Sequence, residues 1–444
     1  MIRYDDKINT ELLLDALEKD YIGRNDFLLY FLEKIDKSDR NRLIALDGSW
    51  GSGKTVFVKQ LSMILNETNI NSKVENKDYK DRIINFINKN NLELKNNYLP
   101  IYFDAWKYDS DIYPLRNLIY EISCQTKNKY NGNFEELKKI LDDLFSYFGK
   151  GLRPIDFIEN VKDIFTNKDE TSAISFHEKF ESYLDEVIKE RCDKLVIFID
   201  ELDRCNPRYA VSLLEEVKHY VDDDRVIFVF SLNLEQLQYT IEHYYGTGFD
   251  SYRYLDKMFH ENNILPEPDY DKYYSNLIDK NDVIYKIYGY LFDRYRVSLR
   301  EQNKIILNFK NSNAFKTINK KVPLLSEYEV GRYFTLVYIV PIMAVLHTTN
   351  INDYNRFKSG QYKELFVDLM KQDYALSYFK VFVNVKTDQN NKIDEESLNN
   401  VLDFIYSNIF IKTKDRYLDE SKCVIGKMNI SPLLKDYVIK MSSF

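Results

Sequence analysis

Apolar positions along the chain fall into two patterns. Four short, nearly continuous runs, Leu43–Leu46, Leu99–Phe103, Leu195–Ile199 and Val226–Phe230, each end in a polar turn. Runs of this length without alternation predict strands buried on both faces of a parallel sheet. Between them the spacing becomes helical. Asn206 and Pro207 form a cap and first-turn pair ahead of Leu213, Leu214, Val217 and Tyr220. Asn233 with Gln236 opens the next helix, which stops at Gly246. Strands alternating with helices predict a three-layer α/β domain.

The stretch between the first and third strands is far longer than the roughly 30 residues a βαβ unit needs. Two amphipathic segments occupy part of it. Phe134, Leu137, Ile140, Leu141, Leu144, Phe145 and Phe148 share one helical face, closed by Gly149. Ser175 and Glu178 match a capping box ahead of Phe180, Tyr183, Leu184, Val187 and Ile188. A helical insertion at 124–191 is therefore expected inside a domain made of 1–123 and 192–270. Beyond Pro266 and Pro268 the pattern changes, and 271–444 reads as mainly helical, with one weak strand signal at Val381–Val385. The longest apolar run, Tyr333–Leu346, contains Pro341. It is shorter than the roughly 20 residues of a spanning helix and reads as a buried helix with a break.

The charge balance removes some function classes. Lys and Arg number 62 against 70 Asp and Glu, a net charge of −8, which disfavours a generally basic nucleic-acid binder. It leaves room for a local stripe such as Arg294, Arg296 and Arg300. Four scattered cysteines and five histidines without ligand spacing predict neither a disulfide framework nor a zinc site. The acidic, polar opening residues lack a signal-peptide pattern, so a soluble cytoplasmic protein without a membrane span is expected.

The strongest chemical signal is Gly48-Ser49-Trp50-Gly51-Ser52-Gly53-Lys54-Thr55, which fits GxxxxGK[ST] between a strand and a helix. Glycines let backbone N–H groups curl around phosphates at the positive end of a helix. Lys54 is placed to reach the β and γ phosphates, and the Thr55 hydroxyl to hold Mg²⁺. The second signal is the run Leu195–Ile199 ending in Asp200-Glu201. Asp200 at a strand tip suits Mg²⁺, and Glu201 suits a general base polarising water.

With both motifs in hand, the chain resembles the KAP family of P-loop NTPases, within the additional-strand, catalytic-glutamate branch. GSWGSGKT carries the resemblance, followed by Ile101-Tyr102-Phe103-Asp104-Ala105-Trp106-Lys107-Tyr108 and Asp200-Glu201-Leu202-Asp203-Arg204-Cys205 with Pro207. Tyr254-Leu255-Asp256-Lys257 and Leu265-Pro266-Glu267-Pro268 complete it. Asp104 stands where Asn is usual, Glu201 where a second Asp is common, and the membrane helices many members carry between the two motifs are not visible. The resemblance implies a hydrolase for ATP with Mg²⁺, slow or activator-dependent, working as a homo-oligomer with a possible effector partner. Members are often linked to defence against phage or plasmids, or to signalling scaffolds.

Weaker candidates surround this core. Gly23-Arg24 resembles a motif that contacts base or sugar, with a plain turn as the alternative. Ser231 and Asn233 are placed to orient water, Asn233 being read first as a helix cap. Arg204 and Arg253 are candidate arginine fingers, and Arg300, in the capping box Ser298–Glu301, a candidate lid arginine. Trp106 is read as a packing residue. Asn391-Lys392-Ile393-Asp394 matches a guanine signature and is read as chance. Two other readings of the chain are a non-catalytic ATP-binding scaffold and a nucleic-acid-associated motor; a small-molecule phosphotransferase ranks last.

Overall fold

A computed structural model of the protein describes residues 9–38, 42–73, 76–130, 134–146, 170–220, 222–275, 282–312, 315, 326–383, 394–411 and 423–442. They divide into two compact units between Pro268 and Asp269. In the first unit the order is α1 (Thr10–Lys19), α2 (Asn25–Asp36), β1 (Arg42–Asp47), α3 (Lys54–Thr68), α4 (Lys77–Lys89) and β2 (Tyr98–Asp104). Then come α5 (Pro114–Lys129), α6 (Glu135–Ser146), α7 (Glu170–Ile188), β3 (Lys194–Asp200) and α8 (Pro207–Tyr220). The unit closes with β4 (Val226–Leu232), α9 (Leu234–Tyr245), α10 (Ser251–Met258) and β5 (Glu261–Ile264).

The five strands are all parallel, in the order β2-β3-β4-β1-β5. The four strands expected from the apolar runs are present, and β4 separates β1 from β3. Alternate side chains feed opposite faces. Leu195, Ile197 and Ile199 of β3 join a core with α5 to α10, while Val196 and Phe198 join one with α1 to α4. This is the three-layer α/β arrangement. Leu137 and Leu144 of α6, and Phe180, Tyr183, Leu184 and Val187 of α7, belong to the former core. Helix α7 begins at Glu170, ahead of the expected cap at Ser175; Phe148 and Gly149 lie outside the described residues.

Strand β5 is absent from the apolar pattern because it is a polar edge. Its Glu261 pairs with both Arg42 and Lys34, and Lys34 donates to Asn263 Oδ1 at 2.7 Å. Ion pairs and hydrogen bonds there replace the aliphatic packing that marks the inner strands.

The second unit contains α11 (Tyr270–Ser275), α12 (Val283–Tyr295), α13 (Leu299–Asn311) and α14 (Glu327–Thr349). It continues with α15 (Ile351–Lys358), α16 (Glu364–Met370), α17 (Asp373–Phe379), α18 (Glu395–Phe410), the two-residue strands β6 and β7 at Val424–Ile425 and Met428–Asn429, and α19 (Leu434–Ser442). Helix α14 runs through Pro341 without the expected break. By length and composition it could cross a membrane, yet 78% of its apolar window is buried within the protein. Asn429 packs so close that a Cβ on Gly331 would lie 2.1 Å from its carbonyl oxygen, which explains the glycine. Val381–Val383 form a turn after α17 rather than a strand, and Val385 and Asn391–Ile393 lie outside the described residues.

One buried acid in the first unit ties stability to pH. Glu216 of α8 accepts from Leu115 N at 2.9 Å, at the first turn of α5. Burial pushes its carboxyl up to about 7, opposed by that N–H. The folded chain thus holds a proton that the unfolded chain releases near the ordinary value of 4.5. This group's contribution is complete below that value and is lost as pH rises through the folded pKa. Glu216→Gln keeps an acceptor and removes the charge. Thermal unfolding midpoints are expected to match wild type at pH 4.5 and exceed it at pH 8; parallel pH curves for the two chains would contradict this.

Candidate active site

The loop after β1 is built by backbone conformation as much as by side chains. Gly48 N donates to Leu232 O at 3.2 Å, which fixes the exit from β1 against β4. Gly51 (φ 76°) and Gly53 (φ 99°) lie in the left-handed region, where a side chain would be strained. Gly53 is the cap of α3, so Lys54 and Thr55 open that helix at its positive end. Lys54 is 8% exposed, and its Nζ donates to Gly48 O at 2.6 Å and Ser49 O at 3.1 Å. Burial pulls the ammonium below the ordinary lysine range, opposed by the carboxylates of Asp203, Asp200, Glu201 and Asp47.

Arg24 braces the loop from beneath. It is 4% exposed, donating from Nη1 to Ser52 O at 2.7 Å and from Nε to Pro266 O at 2.8 Å. The turn ahead of it relies on Gly23, at φ 66°. The Arg24 guanidinium thus links the phosphate loop to the Leu265–Pro268 segment through backbone carbonyls.

Sheet register places the acids. Asp200 ends β3 and pairs with Asp104 of β2 on one side and Ser231 of β4 on the other. Its carboxylate is 1% exposed and held by three donors. Ser231 Oγ donates to Oδ1 at 2.8 Å, Glu201 N to Oδ1 at 3.1 Å, and Tyr102 Oη to Oδ2 at 2.9 Å. Glu201 adopts φ 61°, ψ 22°. A left-handed conformation costs a non-glycine residue roughly 1–2 kcal/mol, and such strain clusters at functional turns. The short turn Leu202–Arg204 follows. From it Asp203 accepts from Trp50 Nε1 at 2.6 Å, while Arg204 forms an ion pair with Glu201 and lies over the Trp106 ring at 5.5 Å. Burial pushes the Glu201 carboxyl up to about 7, aided by Asp200 and opposed by Arg204.

The remaining candidates separate. Asn233 caps α9, its Oδ1 accepting from Gln236 N at 3.1 Å, in agreement with the cap reading. Arg253 is 80% exposed and paired with Asp250. Arg300 is exposed in the second unit, where the Ser298–Glu301 capping box forms. Arg294 there pairs with Asp368, and Arg296 ends α12 in a left-handed conformation. Trp106 is 52% exposed rather than packed in. Tyr102 and Asp203 lie within the motifs read from sequence, but their contacts to Asp200 and Trp50 were not anticipated. A tyrosine in a buried strand reads as core, and only the β2–β3 register reveals its hydroxyl's target.

Among the described residues no group of three His, Cys, Asp or Glu side chains could hold a metal alone. The donor set instead suits Mg²⁺, which takes one or two protein oxygens and completes its shell with phosphate and water. Asp200 suits that role, because three donors leave a carboxylate with further acceptor capacity. Thr55, at the start of α3, would supply the hydroxyl.

A family model described as the KAP family P-loop domain matches residues 24–318, more than half of the chain. No curated protein matches. Among solved structures the chain is similar to the Aeropyrum pernix ORC1 protein in complex with DNA, at 12% identity and a TM-score of 0.35, over 86% of this chain and 92% of that one. At that score the similarity carries no argument about DNA.

The Arg24 brace is open to a direct check. Arg24→Ala removes two charge-assisted hydrogen bonds and should destabilise the first unit by about 2 kcal/mol or more. Denaturant unfolding followed by circular dichroism would read this; a variant as stable as wild type would show that the loop stands without the brace.

Proposed function

The chain belongs to the KAP family of P-loop proteins, and from that premise we propose that it binds and hydrolyses Mg-ATP to switch an assembly or a partner. The observation that carries this reading is the hydrogen bond from Trp50 in the loop of Lys54 to Asp203 in the turn after β3, which joins the phosphate loop to the segment holding Asp200 and Glu201. On this reading, that link supports Lys54 as the phosphate-binding cation and Glu201 as the base of a single site. The preference for ATP over GTP, like a role in defence or signalling, follows from the family resemblance.

Lys54, released from Gly48 O and Ser49 O, would bind the β and γ phosphates. Thr55 and Asp200 would hold Mg²⁺, which when bound neutralises developing phosphate charge. Tyr102 and Ser231 keep the Asp200 carboxylate oriented. Glu201 takes a proton from water as the water oxygen bonds to the γ-phosphorus and the bond to the β–γ bridging oxygen breaks, leaving ADP and phosphate. A carboxyl held near neutrality is matched to that task.

The competing scaffold reading retains nucleotide binding and dispenses with Glu201. Lys54→Ala is expected to lose nucleotide binding. Glu201→Gln should bind as wild type while turnover falls by about a hundredfold or more. If neither variant differs from wild type in turnover, the proposal is wrong.

The support given to Asp200 makes a separate prediction. Tyr102→Phe removes one hydroxyl, and second-shell losses of this kind weaken metal affinity by roughly 10–100-fold. Calorimetric titration of nucleotide across a Mg²⁺ series should show a higher Mg²⁺ requirement and unchanged Mg²⁺-free binding. An unshifted Mg²⁺ dependence would remove Tyr102 from the metal site.

A further inference from the structure

The turn after Glu201 holds a contact that the proposed mechanism does not use. Register aligns Asp104 with Asp200, so the segments that follow β2 and β3 emerge side by side. From the first, Trp106 presents a half-exposed ring, and from the second, Arg204 lies over that ring. The same guanidinium pairs through Nε with Glu201. Arg204 N also donates to Glu201 O at 3.1 Å, closing the turn in its backbone. Both partners are largely enclosed, with side chains 24% and 18% exposed. The chain has two tryptophans. Both engage this turn, Trp50 through Asp203 and Trp106 through Arg204.

We propose that Arg204 is a positioning residue for Glu201 of its own chain, backed by Trp106, and not a finger extended to a neighbour's phosphates. The inference rests on Glu201 being the general base. Asp200 and Asp203 crowd Glu201 with like charge, and its backbone is held left-handed. A carboxylate so placed needs a counter-ion to fix its rotamer, and Arg204 is the cation paired with it. The planar guanidinium can pair through one edge while its face lies on an indole. To reach a second subunit it would have to abandon both contacts. Arg253, at 80% exposure and paired with the exposed Asp250, is far less enclosed.

The test is a mixing experiment with purified full-length chains. Arg204→Gln is expected to bind ATP as wild type with kcat lowered at least tenfold, and Arg204→Lys to restore part of the loss, because an ammonium keeps the charge but not the planar face on Trp106. Trp106→Leu, at an exposed position, should lower kcat in the same direction with binding intact. Arg204→Gln chains mixed with Glu201→Gln chains should show no more turnover than the two measured separately, because a cis pair is broken in every site. Turnover above that level would mean that Arg204 from one chain serves Glu201 of another, and would overturn the proposal. Wild-type kcat in Arg204→Gln would overturn it too, as would loss of ATP binding in both Arg204→Gln and Trp106→Leu. A wild-type chain without turnover would overturn the reading of Glu201 and this proposal with it, whereas an active wild type with a rescued mixture overturns this proposal alone.

Discussion

A buried ammonium cannot stand without anionic or carbonyl partners, and the first unit is organised around meeting that need for Lys54. Burial alone would drive the side chain toward neutrality. Gly48 O and Ser49 O accept its hydrogen bonds, and the carboxylates of Asp203, Asp200, Glu201 and Asp47 supply the opposing field. Asp47 ends β1, whereas Asp200 ends β3 and Glu201 and Asp203 lie in the turn after it. Strand β4 sits between β1 and β3, so the two strand ends lie two strand spacings apart, roughly 10 Å, and the hydrogen bond from Trp50 to Asp203 spans that gap.

The acids themselves are held as tightly as the lysine. Asp200 receives donors from β2, from β4 and from the turn that follows it, so its orientation depends on three separate parts of the unit. Glu201 is bent into a left-handed conformation and closed by the next residues in the chain. Trp50 and Asp203 join this turn to the phosphate loop directly. One hydrogen bond thus ties the phosphate loop to the turn that carries Glu201.

Much of this was legible in the sequence, and the reason is physical. Strands buried on both faces must be apolar throughout, so β1 to β4 announce themselves, and a loop that wraps phosphate needs glycines at fixed places. The Asn233 cap was readable because cap chemistry is local. What escaped notice depends on register or on exposure. Strand β5 is polar because ion pairs at a sheet edge replace packing. The hydroxyl of Tyr102 matters only because β2 lies beside β3. The pairing of Arg204 with Glu201 depends on the turn between them, and the backbone partners of Arg24 lie at Ser52 and Pro266, far along the chain.

The most direct measurement of the central claim is a single-turnover experiment with the chain in excess over radiolabelled ATP and Mg²⁺, quenched over time and resolved by chromatography. Bound ATP is expected to be converted stoichiometrically to ADP and phosphate, and chelating Mg²⁺ to stop the conversion. Recovery of the bound nucleotide as intact ATP after many hours would contradict it.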